Sequence, residues 1–567
     1  MVEERVVLRR EMKMRFDFYV FFPAFMIACS VVLGLSYKYG GSASFFLSTA
    51  QNAAISFLIL IVSLLAAYLL VMLLYRLLDK GKASFQGASF ADLAKRRFAP
   101  YFVFIVACWS PWIFANYPGM MRDDSVRQLF QTYSVEPYSD GNPLFDTWCF
   151  GLFWHFGDFL GDRSLGLFIY CIFQAVVSAA CFAFALCYMH KNGVPDLVVY
   201  FSLVLVSVVV IFPLSATSMS KDGLNGWIYL LLVVFFVEVF RTQGEALKDR
   251  KFVLAFIFIA LLCSISKKTM LYVLLFSFVV GVVYLRRNRR RVSLVFATAL
   301  ILSYCVGSVF LPSTMKNDAP EASPSAGSAG GIFVILPLQQ TARVLHGGLF
   351  VDQQTYDCLS RYIYCDGTAR LYNSSRADEA ASQTVAGADY SDLIAYLEAW
   401  FSLGLQYPLV YAGALSDQLG GWFDPCRQIA FGYDLDNDVF SPDHMKIWAN
   451  YFAGGIEEAD SFLSFLNVEK DPFAVQVRSY AVDWASLQLD LCLPVSYGLW
   501  CFWLPLIGFC YTLRRKNTPV AFSFILPAMV FASCLVGPMV LYWYSIPLFY
   551  SAPILLSAGA LDKVEKS

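Results

Sequence analysis

Two aspartates, Asp123 and Asp124, stand side by side in the polar stretch Asn116–Asp146, NYPGMMRDDSVRQLFQTYSVEPYSDGNPLFD. Arg122 and Arg127 are close by, and Gln128 follows Asp124 by one helical turn. A carboxylate within hydrogen-bond reach of an acceptor hydroxyl takes its proton as the new bond forms. A partly apolar site raises its pKa toward the range where that is useful. Asp124 is the expected general base. An Asp before SVRQLFQ would also cap a short helix by accepting from its free amides, and the two roles divide between the two residues.

Further cations lie at the edges of apolar runs. Lys221–Asp222 opens one run, and a lysine at a helix start, where amides also point outward, suits a phosphate or diphosphate. The alternative is a lysine that snorkels beside its neighbour. Lys267 and Lys268 repeat the pattern in the next short loop. Gln339, Gln340 and Arg343 follow Pro337, where Arg343 suits a phosphate and the glutamines suit sugar hydroxyls; an amphipathic helix surface would look the same. Arg127 completes the expected binding set. His346 and His444 are isolated, and His155 sits in an aromatic stretch that favours an interfacial anchor over metal binding. The ring of Trp422, in WFDP at 422–425, offers a stacking surface for a sugar. No cluster has metal-ligand spacing, although Asp123 with Asp124 has the oxygen ligands a divalent cation takes.

The elements that must carry these residues follow from composition. Of 567 residues 58% are hydrophobic, 17% aromatic and only 15% charged, with mean hydropathy +0.57. A soluble protein of this size could not hide that much apolar surface, so the chain reads as an all-α polytopic membrane protein. Net charge is −1, which leaves no footing for nucleic acid. Residues 1–15 are charged and no small-residue cleavage site follows the first apolar run, which therefore reads as a retained anchor. Twelve spans are expected, at about 17–36, 53–75, 98–115, 164–189, 196–214, 223–240, 252–265, 270–285, 292–312, 491–513, 518–536 and 540–559. Trp148–Leu160 is too short to cross and reads as an interfacial or re-entrant helix.

Basic loops set the sides. Residues 1–15, 76–97, 241–251, the run RRNRRR at 286–291 and Arg514–Lys516 all fall on one side with both termini, the cytoplasmic side of a plasma membrane. Asp123, Asp124, Lys221, Lys267, Lys268 and the segment 313–490 then share the other face. The chain divides into 1–97 (two helices and a basic loop), 98–312 (membrane core with the loop 116–163), 313–490 (a mostly helical extracytoplasmic domain inserted before the last three spans) and 491–567. The domain opens on a Pro/Ser/Ala/Gly linker at 317–331 and carries a helical pattern at Tyr390–Leu403. The fifteen cysteines lie mostly in apolar runs as small hydrophobes; Cys358 and Cys365, outside them, are a candidate disulfide.

With YPGMMRDDSVRQ at 117–128, GNPLFDT at 141–147, KDGL at 221–224, PLQQTAR at 337–343, YPLVYAGAL at 407–415 and YSIPLFYSAPILL at 544–556, the chain resembles polytopic glycosyltransferases of the GT-C fold over roughly 100–556. The resemblance implies a GT-C-like membrane core and transfer of a sugar from a polyprenyl-phosphate carrier to a glycan, lipid or protein acceptor at the outer face. On it, Asp124 matches the loop aspartate, and Lys221 and Arg343 match positions near the carrier phosphate. Related sequences carry an arginine before the final Tyr-x-x-Pro where this chain has Trp543, and Asp123 is an acid beside the expected one. Three other classes compete, one of them a non-enzymatic sensor or scaffold, in which Asp124→Asn would leave every glycan unchanged. A transporter or flippase of lipid-linked saccharides would show paired broken helices and mid-membrane charge. An O-antigen-type polymerase or ligase would lean on arginine and histidine in its large loop.

Overall fold

A helix that crosses a bilayer must satisfy its own backbone, so uniformly apolar runs become helices that end where polar residues resume. The structure, a computed structural model, describes residues 16–84, 90–121, 123–138, 142–314, 334–427, 463, 465 and 472–562, without the side chains of residues 90, 123 and 474. The first helices are α1 (Phe18–Gly40), α2 (Ala50–Lys80), α3 (Ala91–Ala115), α4 (Asp123–Thr132), α5 (Leu144–Phe159) and α6 (Arg163–Lys191). The middle of the chain forms α7 (Asp196–Val208), α8 (Lys221–Arg241), α9 (Arg250–Ser266), α10 (Thr269–Tyr284) and α11 (Arg286–Ser313). Then come α12 (Ile335–His346), α13 (Tyr390–Gln406), α14 (Pro408–Leu419), α15 (Pro472–Leu491), α16 (Leu504–Arg514), α17 (Thr518–Leu535) and α18 (Tyr542–Ser557).

Among the described residues seven helices are long and apolar enough to cross a membrane: α1, α2, α3, α6, α8, α11 and α17. The other expected spans come out shorter. The run at 196–214 breaks after Val208 and resumes at Ile211–Ala216, with Gln488 of α15 taking up the freed Val210 amide at 3.0 Å. The run at 491–513 begins instead with a left-handed Cys492 (φ 60°), a 3-10 turn and a π turn, leaving eleven residues in α16. α9, α10 and α18 have 17, 16 and 16 residues. α5 starts at Leu144, ahead of the expected interfacial helix.

Starts are set by side-chain caps. Thr49, Asp162, Ser220 and Asp249 each accept an amide of the first turn of α2, α6, α8 and α9. α8 and α18 form the buried centre of the bundle, and Gly226 permits their approach, since a Cβ there would meet Ile546 Cγ2 at 2.6 Å. α2 is the opposite case: Leu58, Leu65, Leu69 and Leu70 stand exposed on it, as on a lipid-facing helix.

Contacts gather the described parts of the basic loops at 76–97, 241–251, 286–291 and 514–516 at one end of the bundle, while residues 1–15 lie outside the described residues. At one end Arg514 pairs with Asp17 at 2.8 Å and Asp79 at 2.5 Å, joining the start of α1 to the ends of α2 and α16. The same end holds Arg241 on Glu238 at 2.7 Å, Asp562 N–H on the Asn192 carbonyl at 2.7 Å, and Asn288 on the Gln243 carbonyl at 3.0 Å. At the other end, residues 334–411 close their own apolar core around Leu338, Val344, Leu359, Tyr362 and Tyr396. This small domain rests on the 537–539 turn: Ala377 N–H donates to the Pro538 carbonyl at 2.9 Å and Gln418 to Gly537 at 3.1 Å. Its expected helix at Tyr390–Leu403 is α13, opened by an Asp389 capping box. The linker 317–331 lies outside the described residues.

Candidate functional site

The polar end of the bundle is organised by the smallest sheet possible. β1 (Met120–Met121) pairs in parallel with β2 (Ser218–Met219), Met120 opposite Ser218 and Met121 opposite Met219. The ladder puts the starts of α4 and α8 side by side, so residues almost a hundred positions apart meet just beyond it. Ser125 Oγ donates to the Met219 carbonyl at 2.5 Å and locks the register. Gln174 of α6 satisfies the irregular backbone from below, donating to the carbonyls of Ser215 at 2.9 Å and Ser218 at 2.7 Å. Gly119, at φ 135°, makes the turn into β1; a Cβ there would stand 2.5 Å from Cys171 Sγ.

Asp124 and Lys221 are the result. Lys221 Nζ lies 2.7 Å from Asp124 Oδ2 and donates to Asn142 Oδ1 at 2.9 Å, while Asn142 donates back to the Asp124 carbonyl at 3.5 Å. Asp124 is 51% exposed and Lys221 only 21%, so the carboxylate faces water and the cation backs it. The carboxylate therefore serves an ion pair across elements, beyond the capping role the sequence also allowed. The Asp123 side chain, Arg122 and His444 lie outside the described residues.

A second pair adjoins the first. Asp222, next to Lys221, accepts from Lys267 at 2.5 Å, and Lys267 Nζ lies 5.7 Å from the Tyr544 ring centroid at the start of α18. Lys221 and Lys267 thus converge on one cluster. Lys268 diverges: it lines a separate cavity of about 210 Å3 with Pro143, Leu144, Ser264, Ser303 and Ser308. Pro143 and Leu144, on that rim, belong to the loop that carries Asn142.

The remaining expected ligands do structural work. Arg127 turns back onto Glu136, at 2.7 and 2.8 Å, and staples the loop after α4. Arg343 pairs with Asp417 at 2.5 Å, and Tyr37 of α1 donates to the same carboxylate at 2.7 Å, so the arginine ties α12 to α14 and to the bundle. Gln340 is fully used between the Tyr411 carbonyl (3.3 Å) and Trp400 Nε1 (3.0 Å). Gln339 donates to the Asn373 carbonyl at 2.5 Å, and its buried Oε1 has no partner among the described residues. Trp422 is no sugar platform: it is fully buried, edge-on to Tyr497 at 5.3 Å. Cys358 and Cys365 are free thiols, with Cys365 Sγ 3.5 Å from Ser360 Oγ.

One residue escaped sequence reasoning. Asp146, in the first turn of α5, is completely buried, and neither carboxylate oxygen has a hydrogen-bond partner among the described residues. Burial pushes its carboxyl well above the usual carboxylate range, with Asp222 adding to the rise and Lys221 and Lys267 opposing it. Burial without a partner favours the neutral, protonated form of a carboxyl. The signal was there to read: Asp146 is an acid among the apolar residues of GNPLFDTWCFGLFWHF. Among the described residues no three His, Cys, Asp or Glu converge as a metal site.

Residues 134–556, about three quarters of the chain, match a family of unknown function, DUF6020, and the chain belongs to that family. The match includes Asn142, Asp146, Lys221, Asp222 and Lys267, and begins ten residues after Asp124. No curated protein and no solved structure matches the chain.

Proposed function

We propose that this chain is an integral-membrane glycosyltransferase of GT-C-like architecture, moving a sugar from a polyprenyl-phosphate carrier to an acceptor hydroxyl. The observation that carries the reading is the exposed Asp124 carboxylate held against Lys221, with Lys267 and Asp222 alongside, at the end of the bundle opposite Arg241, Arg286 and Arg514. In this reading the shorter apolar helices complete twelve spans, the arginine-rich end is cytoplasmic with both termini, and the cluster faces outward from a plasma membrane. The carrier's phosphate lies at the interface, where cations at the rim of an apolar wall suit it. The Lys268 cavity, bounded by α9, α10, α11 and the loop that carries Asn142, offers a cation on a mixed lining of serines and apolar side chains.

The ion pair supplies an order of events. An arriving phosphate competes for Lys221, and Asp124 is then released to accept the proton of the acceptor hydroxyl as its oxygen bonds to the anomeric carbon. The carrier phosphate departs with the electrons of the broken bond, and Lys221 and Lys267 neutralise the charge that builds on it. Asp124 thus becomes a base only when donor is bound. A second reading rests on Asp146, because a buried carboxyl, unpartnered among the described residues and in the field of two lysines, also suits proton-linked movement of a lipid-linked saccharide.

The test compares wild type, Asp124→Asn and Asp123→Asn in membranes supplied with radiolabelled polyprenyl-phosphate sugars. Loss of a general base costs roughly 10²–10⁴-fold in rate, so Asp124→Asn is expected to abolish product while inserting normally. If wild type consumes no donor, or both variants match it, the glycosyltransferase reading fails; sugar-lipid moved across vesicles without hydrolysis selects transport.

A further inference from the structure

An apolar hollow of about 520 Å3 opens between α10, α16 and α17, away from the Asp124 cluster. Phe502, Phe509 and Phe531 wall it, the rings of Pro505 and Pro527 narrow it, and Leu548 of α18 closes its deep end. Small residues on α17, Ala521 and Ala528, leave the space that larger side chains would fill. A second hollow of about 730 Å3 adjoins it toward the basic end of the bundle, lined by Gln243, Tyr284, Arg286 and Arg287. Val280 and Phe522 line both, so the two hollows form one continuous groove. At the neck Tyr284 stacks on Phe522, with ring centroids 3.9 Å apart.

The two ends of the groove have opposite chemistry. The trough offers almost nothing to hydrogen-bond, whereas Arg286 and Arg287 are exposed at its mouth and Arg289, Arg290 and Arg291 follow within a turn. Glu245 lies in the field of Arg287 but is itself ion-paired with Lys248, so the mouth keeps a positive excess. Guanidinium groups recognise phosphate oxygens through paired N–H donors, and an apolar trough beneath them accepts hydrocarbon. The mouth lies at the arginine-rich end, across the bundle from Lys221 and Lys267, so the matching amphiphile comes from the leaflet at that end. We propose that this groove is a binding site for an anionic phospholipid, its acyl chain in the trough and its phosphate at Arg286 and Arg287. The site stands apart from the glycosyl-transfer reading and survives its failure.

Native mass spectrometry of the full chain, stripped in detergent and titrated with dioleoylphosphatidylglycerol or dioleoylphosphatidylcholine, tests this. The glycerol lipid is expected to remain bound under activation that removes the choline lipid. Each basic side chain at an anionic surface is worth about fivefold, so Arg286→Gln with Arg287→Gln should weaken phosphatidylglycerol binding about 30-fold. Ala528→Trp, on an exposed wall position, should remove the adduct while the thermal midpoint holds. Equal retention of the two phospholipids, undiminished phosphatidylglycerol binding by the double variant, or stronger retention of an isoprenyl phosphate would each overturn the assignment.

Discussion

Replacing Asp146 by asparagine removes a proton-binding group and almost nothing else. The side chain is completely buried, its two oxygens lack partners among the described residues, and an amide fills the same volume. The folded carboxyl keeps its proton at pH values where the unfolded one, near 4, has lost it. The folded state therefore binds more protons than the unfolded state, and wild-type stability falls as pH rises from about 4 to the raised folded pKa. The slope is about 1.4 kcal/mol per pH unit for one group, and the asparagine variant lacks it. Thermal or denaturant unfolding of both proteins in lipid nanodiscs between about pH 5 and 8 measures the difference. Asp146→Asn should lie within about 1 kcal/mol of wild type at the acid end and gain on it toward neutrality. A flat difference across that range, or a wild type that gains with pH, would mean that Lys221 and Lys267 hold Asp146 ionised, and the acid assignment would be wrong.

Two further outcomes follow from the packing. Arg343→Ala should cost about 1–3 kcal/mol by leaving the mostly buried Asp417 with Tyr37 alone, and should leave the donor KM unchanged; a raised KM with unchanged stability would return Arg343 to the substrate. Gly119→Ala should destabilise the chain by about 1–3 kcal/mol, read as a lower unfolding midpoint, because a side chain at φ 135° is strained and its Cβ meets Cys171; an unchanged midpoint would refute the role given to this turn.

What the sequence determined by itself was the class and the polarity of the bundle. Apolar length dictates helices in a bilayer, and the basic loops were legible as one group, but that Arg514 would be held there by Asp17 and Asp79 was not. The residue types of the cluster were legible too, since Asp124, Lys221 and Lys267 are charges at the edges of apolar runs. Their partnerships were not. A two-residue parallel ladder decides that Asp124 meets Lys221, and nothing in the local pattern of MM or SM announces a strand. Arg343, Gln340 and Arg127 looked like ligands because surface and interdomain polarity share one alphabet; only packing shows Asp417, Trp400 and Glu136 already in place. Asp146 shows the limit most clearly. Its charge state depends on how much water and how many lysines surround it, and those neighbours come from α8 and the α9–α10 turn, far along the chain. Composition settles which solvent a helix faces; desolvation and long-range pairing, which set the chemistry, exist only once the helices have met.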